Sequence, residues 1–159
     1  MAVLNLNVGP IVPSDVFGWE VNTDVGYGRE TFTITTAAKI EVGQVLVANY
    51  AAKTAVRVGA LANAAAVAAL GDLVIFVGRD LPINPAVYQD FDRLTMTTTG
   101  EGVAITRGDG RGTLYKKHLK FGDVAFYALP ADVKAALVAK FTKENRFKVL
   151  DQVYEIIIT

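Results

Sequence analysis

The chain has 159 residues, 52% of them hydrophobic and 20% charged, with 16 Lys and Arg balanced by 16 Asp and Glu. That combination excludes an intrinsically disordered chain and is enough for one domain with a substantial core. Cysteine is absent, which excludes disulfides, thiolate nucleophiles and Cys-ligated zinc, and the zero net charge disfavours nucleic acid as a partner unless a local basic patch supplies the attraction.

Residues 1–29 mix turn formers (Gly9, Pro10, Pro13, Gly18, Gly26, Gly28) with strongly apolar side chains, among them Ile11, Val16, Phe17 and Trp19. No basic leader precedes an apolar run there, and no 18 consecutive residues of the chain are apolar, so neither a signal peptide nor a membrane span is expected. Residues 1–29 therefore read as an extended arm lying on a surface, either its own domain or a partner. From residue 31 the pattern turns to β. "TFTITT" alternates Phe32 and Ile34 with threonines, and "KIEVGQVLVANY" is apolar around Gly43, which predicts a turn or bulge. "TAVRV" comes next, and "DLVIFV" (72–77) is a continuous apolar run of the kind a strand buried on both faces shows. "RLTMTTT", "GVAIT", "DVAFYAL" and "VYEIIIT" complete about eight expected strands, the count of a β-barrel or sandwich.

Two stretches break the β pattern. "GALANAAAVAALGD" is either a short packed helix ending near Gly71 or a small-residue loop. "LPADVKAALVAKFTKEN" predicts the one clear helix, with Pro130 in its first turn and Asp132 near its positive end. Val133, Leu137 and Phe141 make one apolar stripe, and Lys140 and Lys143 lie near the negative end. The expected organisation is an arm over 1–29 and a single mainly β domain over 30–159, a small β-barrel or β-sandwich with one C-terminal helix.

"ITRGDGRGTLYKKHLKFGD" (105–123) is the most conspicuous stretch. Its glycine spacing matches neither phosphate-loop pattern, and "TLYKKHL" after the glycines is better as a strand than as a helix. Asp109-Gly110 predicts a tight hairpin turn, flanked by "GVAITR" and "GTLYKKHLKF" as its two strands. Arg107, Arg111, Lys116, Lys117 and Lys120, interleaved with Tyr115 and Phe121, fit three descriptions. They form a nucleic-acid face, a charged edge that discourages strand aggregation, or a complement to an acidic protein partner. No catalytic set emerges. The single serine, Ser14, has no G-x-S-x-G around it, and the single histidine, His118, sits in a basic run. Asp90 and Asp92 lie in a proline-rich loop, where solvation explains them better than a cation does. The expectation is a non-enzymatic interaction or structural protein that needs no cofactor and no metal.

Three segments carry a family resemblance. "TITTAAKIEVGQVLVANYAAKTAVRV", with its G-Q-V-L, resembles the opening of head decoration (cement) proteins of tailed bacteriophages. "ALGDLVIFVGRDL" is similar to their central buried strand, and "GDVAFYALPADVKAALVAKFTKENRFKVLDQVYEI" to their ending of strand, helix after Leu-Pro, and closing strand. The resemblance implies a small barrel-like domain that forms a homotrimer on the capsid exterior of a virion, after synthesis in the host cytoplasm. Its partner would be the major capsid protein, engaged in part by the arm through β-augmentation. Ile11, Val16, Phe17 and Trp19 are the expected buried arm contacts. The chain is longer than compact members of that family, and residues 82–122 are expected to hold the excess as a hairpin insertion. The alternative is a small β-barrel that binds nucleic acid through the basic 107–120 hairpin. Deleting residues 1–20 is expected to leave a folded domain.

Overall fold

A computed structural model describes residues 11–19, 28–79 and 93–151. In chain order the elements are α1 (Pro13–Val16), β1 (Phe17–Trp19), β2 (Arg29–Thr35), β3 (Ile40–Glu41), β4 (Val45–Asn49), β5 (Thr54–Arg57), α2 (Ala64–Ala68) and β6 (Asp72–Arg79). Then come β7 (Thr95–Met96), β8 (Gly100–Ile105), β9 (Thr113–Tyr115), β10 (Lys120–Phe121), β11 (Val124–Ala125), a 3-10 turn (Phe126–Ala128), α3 (Ala131–Lys143) and β12 (Lys148–Leu150). The protein is mainly β, and its centre is a closed barrel in the order β2-β5-β4-β6-β8, with β8 pairing back onto β2. The β2–β5 pairing is parallel, and the other barrel pairings are antiparallel.

The alternation in the sequence fills this barrel. Phe32 and Ile34 of β2, Leu46 and Ala48 of β4, Ala55 of β5, Val74 and Phe76 of β6 and Ala104 of β8 form one buried cluster, joined by Ile40 and Met96 from the β3–β7 ladder. Bulky side chains on β2 and β6 are matched by small ones on β5 and β8, which lets a narrow barrel close at the packing density of a protein interior. The intervening residues of β4, β6 and β8 point outward. Val45, Leu73, Ile75, Val77 and Ile105 belong to a second cluster, shared with Val133, Leu137 and Phe141 of α3. Strand β6 is thus buried on both faces, as its unbroken apolar run predicted.

A second sheet, β1-β9-β12, packs into the same outer core through Phe17, Leu114 and Phe147. Helix α3 has the expected pattern, with Val133, Leu137 and Phe141 fully buried, although Pro130 stands at the N-cap, one place before the first helical residue. Two shorter helices join it. The Ala-rich stretch forms α2, started by the Asn63 side chain, which accepts from Ala66 N at 3.0 Å. Its end is Ala69, before Gly71.

Several expectations need correction. The two flanks of Asp109-Gly110 do not pair as a hairpin: β8 is a wall of the barrel, whereas β9 pairs with β1 and β12 in the other sheet, and residues 82–92 of the expected 82–122 insertion lie outside the described residues. The turn at 109–110 joins no hairpin; it carries the chain from one sheet to the other. "DVAFYAL" is only two strand residues and then the 3-10 turn, because Phe126 swings into the outer core. The strand in "RLTMTTT" shrinks to β7. A closing strand forms at Lys148–Leu150, and the expected one in "VYEIIIT" falls at 153–159, outside the described residues.

The barrel interior gives a direct test. A Cβ on Gly102 would overlap Ile34 Cδ1 and stand 2.9 Å from Phe76 Cε2 and 3.1 Å from Met96 Sδ. Gly102→Val is expected to cost about 1–3 kcal/mol, read as a lower urea midpoint. Gly59→Ala, where an added Cβ meets nothing within 4 Å, is expected to stay within about 0.5 kcal/mol of the parent.

Candidate interaction surfaces

The glycine-rich stretch is fastened at both ends. Asp109 (φ 53) and Gly110 (φ 77) are consecutive left-handed residues, the conformation expected of Asp-Gly in a tight turn. Gly108 N donates to Asn145 O at 2.8 Å, Gly110 N donates to Arg146 O at 2.7 Å, and Gly112 O accepts from Lys148 N at 2.8 Å. A Cβ on Gly108 would overlap the Phe147 ring. The glycines therefore let one backbone dock on another, and the amides of Gly108 and Gly110 are spent on protein carbonyls. At the far end, the chain over 118–122 lies across Gly43 and Gln44. Gly43 has φ 92, and a Cβ there would overlap the carbonyl oxygen of His118. The buried Gln44 side chain donates to Lys120 O at 3.1 Å and to Gly122 O at 3.2 Å. Burial, then the charge of Lys117, lowers the pKa of His118 below its ordinary 6.5, which favours the neutral imidazole.

The basic residues have separate fates. Lys120 pairs with Glu41 at 2.7 Å. Lys116 pairs with Asp151 at 3.3 Å, and its ammonium lies 5.9 Å from the centre of the Phe126 ring. Arg111 and Lys117 are exposed. Arg107 borders a hollow of about 280 Å³ whose rim carries Glu30, Asp72 and Glu144. The sequence placed only Asp109 and Asp123 near these cations; the acids that meet Lys120 and Lys116 come from 79 and 35 residues away. Asp109 and Asp123 turn instead to Arg146 (3.6 Å) and Arg57 (2.6 Å).

The arm candidates are placed by the domain itself. Val16 is fully buried and Phe17 is 4% exposed, both in the outer core, and the Phe17 ring lies 6.1 Å from that of Phe147. Ile11 packs half-buried against the same core. Trp19 ends β1, which pairs antiparallel with β9, and its side chain lies outside the described residues. Residues 11–19 thus form a strand and a helical turn of the domain.

Two surfaces were not visible in the sequence. One is the outer wall of β2 and β5. Thr31 and Thr35 are exposed there, and Val56, paired in register with Thr35, is 47% exposed. The other is an apolar groove of about 670 Å³ beside α3. Its floor is Phe126, Tyr127, Ala135, Val138, Ala139 and Thr142. Among the described residues no three His, Asp or Glu side chains gather in a way that could hold a metal ion, and no helix is long and apolar enough to cross a membrane. No protein-family model, curated protein or solved structure matches the chain.

The fastenings can be tested by substitution. Hydrogen bonds from Lys120, then from Lys39, lower the pKa of Glu41 below its ordinary 4.5. A lowered folded-state pKa contributes stability that is present above the unfolded value and lost as pH falls through the folded one. Glu41→Gln is therefore expected to cost up to about 1 kcal/mol at pH 7, as partly exposed pairs do. The difference from the parent closes as urea curves are repeated at progressively lower pH. Asn145 is 7% exposed, and its Nδ2 donates to Leu73 O and Thr106 O, both at 2.7 Å. Asn145→Ala leaves those buried carbonyls without their donor and is expected to cost about 1–3 kcal/mol in the same measurement.

Proposed function

We propose that this chain is a structural protein of a phage virion. It binds the capsid exterior as a homotrimer and stabilises the shell through non-covalent contacts to the major capsid protein. The observation that carries the reading is the order and packing of the last elements: β11, the 3-10 turn, α3 beginning after Leu129-Pro130, and β12, all docked on a small closed barrel. That order is what the resemblance to head decoration proteins implies for "GDVAFYALPADVKAALVAKFTKENRFKVL". The G-Q-V-L glycine and glutamine also have a structural task, holding the 118–122 segment on the barrel.

The capsid-facing surface on this reading is the β2–β5 wall, uncovered among the described residues, with Val56 exposed at the end of the ladder, together with residues 1–10, which lie outside the described residues. The reading assigns the protein no chemistry and no cofactor. Each contact can be weak, because many copies on one lattice multiply small affinities. The nucleic-acid alternative draws less support, since Lys116 and Lys120 each meet a carboxylate of their own chain.

The test is co-sedimentation with capsids of the phage that encodes the chain, alongside light scattering for mass. The parent is expected to scatter as a trimer and to saturate the shells. Val56→Asp, a change at an exposed position, is expected to keep the parental melting temperature and to lose shell binding by tenfold or more. A parent that ignores capsids but binds DNA, with affinity falling steeply as salt rises, would overturn the proposal. Removing residues 1–10 is the informative truncation. Removing 1–20 also takes Val16 and Phe17 out of the core, and is expected to unfold the domain instead of leaving it intact.

A further inference from the structure

Helix α3 has two apolar flanks. Val133, Leu137 and Phe141 face the core. Ala135, Val138, Ala139 and Thr142, at helical spacing of i, i+3, i+4 and i+7, line the groove instead, with Phe126 and Tyr127 opposite. A helix with an outer face open to water normally carries charge there. This flank keeps its lysines to the edges, where Lys134 and Lys143 border the groove without a carboxylate partner among the described residues. An apolar strip rimmed by cations is built to be covered by something apolar that carries negative charge.

The described chain ends at this groove. Asp151 stands at the edge of the groove, where its carboxylate accepts from the Tyr127 hydroxyl and from Lys116 Nζ. That double hold fixes where the chain leaves β12. Next in sequence come residues 152–159, "QVYEIIIT", apolar except for polar ends and one charged residue, Glu155. Fully extended, they reach about 26 Å at ~3.3 Å per residue, and the 13 residues of α3 run about 20 Å at 1.5 Å each.

We propose that the groove beside α3 is the seat of residues 152–159 of the same chain, with one face of the extended isoleucine run, either Ile157 or Ile156 and Ile158, on the Val138–Ala139 floor and the Glu155 charge balanced by the Lys134 and Lys143 rim. The same chain is favoured over a second copy because the Asp151 anchor makes docking intramolecular, at an effective concentration on the order of millimolar for so short a tether. The inference does not depend on the capsid reading.

The absence of cysteine makes the test clean. In the full chain, Ala139→Cys is combined with Ile156→Cys in one variant and with Ile157→Cys in another. Neighbouring residues of an extended segment face opposite ways, so one of the pair is expected to cross-link strongly and the other weakly. Mild oxidation should give a disulfide at the mass of a single chain, mapped by peptide mass spectrometry. A control pairing exposed Lys117→Cys with Ile157→Cys should give at least tenfold less. Disulfides no more frequent than in the control would overturn docking, and disulfides joining two chains would assign the groove to a second copy. Hydrogen exchange on the unsubstituted protein checks the same point without a cysteine. Val138→Asp should release protection of the Ile156, Ile157 and Ile158 amides by tenfold or more, and amides exchanging at the unprotected rate in the parent would also overturn the proposal.

Discussion

Strand β6 has to serve two hydrophobic cores at once. Val74 and Phe76 fill the barrel, and Leu73, Ile75 and Val77 meet the outer core built on α3 and the β1-β9-β12 sheet. Neither core stands alone in this arrangement. Without α3, the outward residues of β6 would face water, at about 25 cal/mol per Å² of apolar surface. Without the barrel, α3 would have no surface for its Val133–Leu137–Phe141 stripe. The position of everything else is set by this. The second sheet, α3 and the 3-10 turn must all lie on the β4–β6–β8 side, and the described residues leave the β2–β5 wall uncovered.

Asn145 ties the two cores together just beyond α3. Its side chain donates to carbonyls at the start of β6 and just after β8, and its own carbonyl receives the Gly108 amide. One residue thus links the helix end, two barrel strands and the glycine-rich turn. The GDGRG segment is consequently a clasp. Its two flanking strands sit in different sheets, so a rigid, close backbone crossing is needed between them. Glycine at 108 and 112 permits the approach, and Asp109-Gly110 supplies the change of direction.

The barrel strands were legible in the sequence because β2 alternates with a two-residue period, β4 and β6 carry unbroken apolar runs, and β5 and β8 are short β-branched stretches bounded by turn residues. Helix α3 was legible from three apolar residues four apart. The pairing of strands was not. "GVAITR" and "GTLYKKHLKF" are joined by a strong turn signal, and local sequence favours pairing them with each other. The barrel wins because Ile105 pairs with both Arg29 and Ile75, and Ala104 buries inside among Phe32 and Phe76. These are contacts that no local window contains. The ion pairs were hidden for the same reason. Lys120 looked unbalanced until the fold brought Glu41 to it. The apolar arm was ambiguous by composition alone, since Val16 and Phe17 suit a partner's surface as well as their own core; β1 pairing with β9 decides it for residues 11–19.

The high apolar content and zero net charge of the chain can now be placed. Among the described residues two cores take up most of the apolar side chains, and long-range ion pairs remove much of the charge a local reading leaves on the surface. Among the described residues the α3 groove is an apolar region outside the cores, and the β2–β5 wall exposes Val56. The groove has a claimant in its own chain, already anchored at its edge by Asp151. The wall has none among the described residues, where Thr31, Thr35 and Val56 are exposed. The chain carries no net charge that would keep copies of this face apart. On the capsid proposal, one modest contact per copy would become a firm attachment because it is repeated across many identical sites.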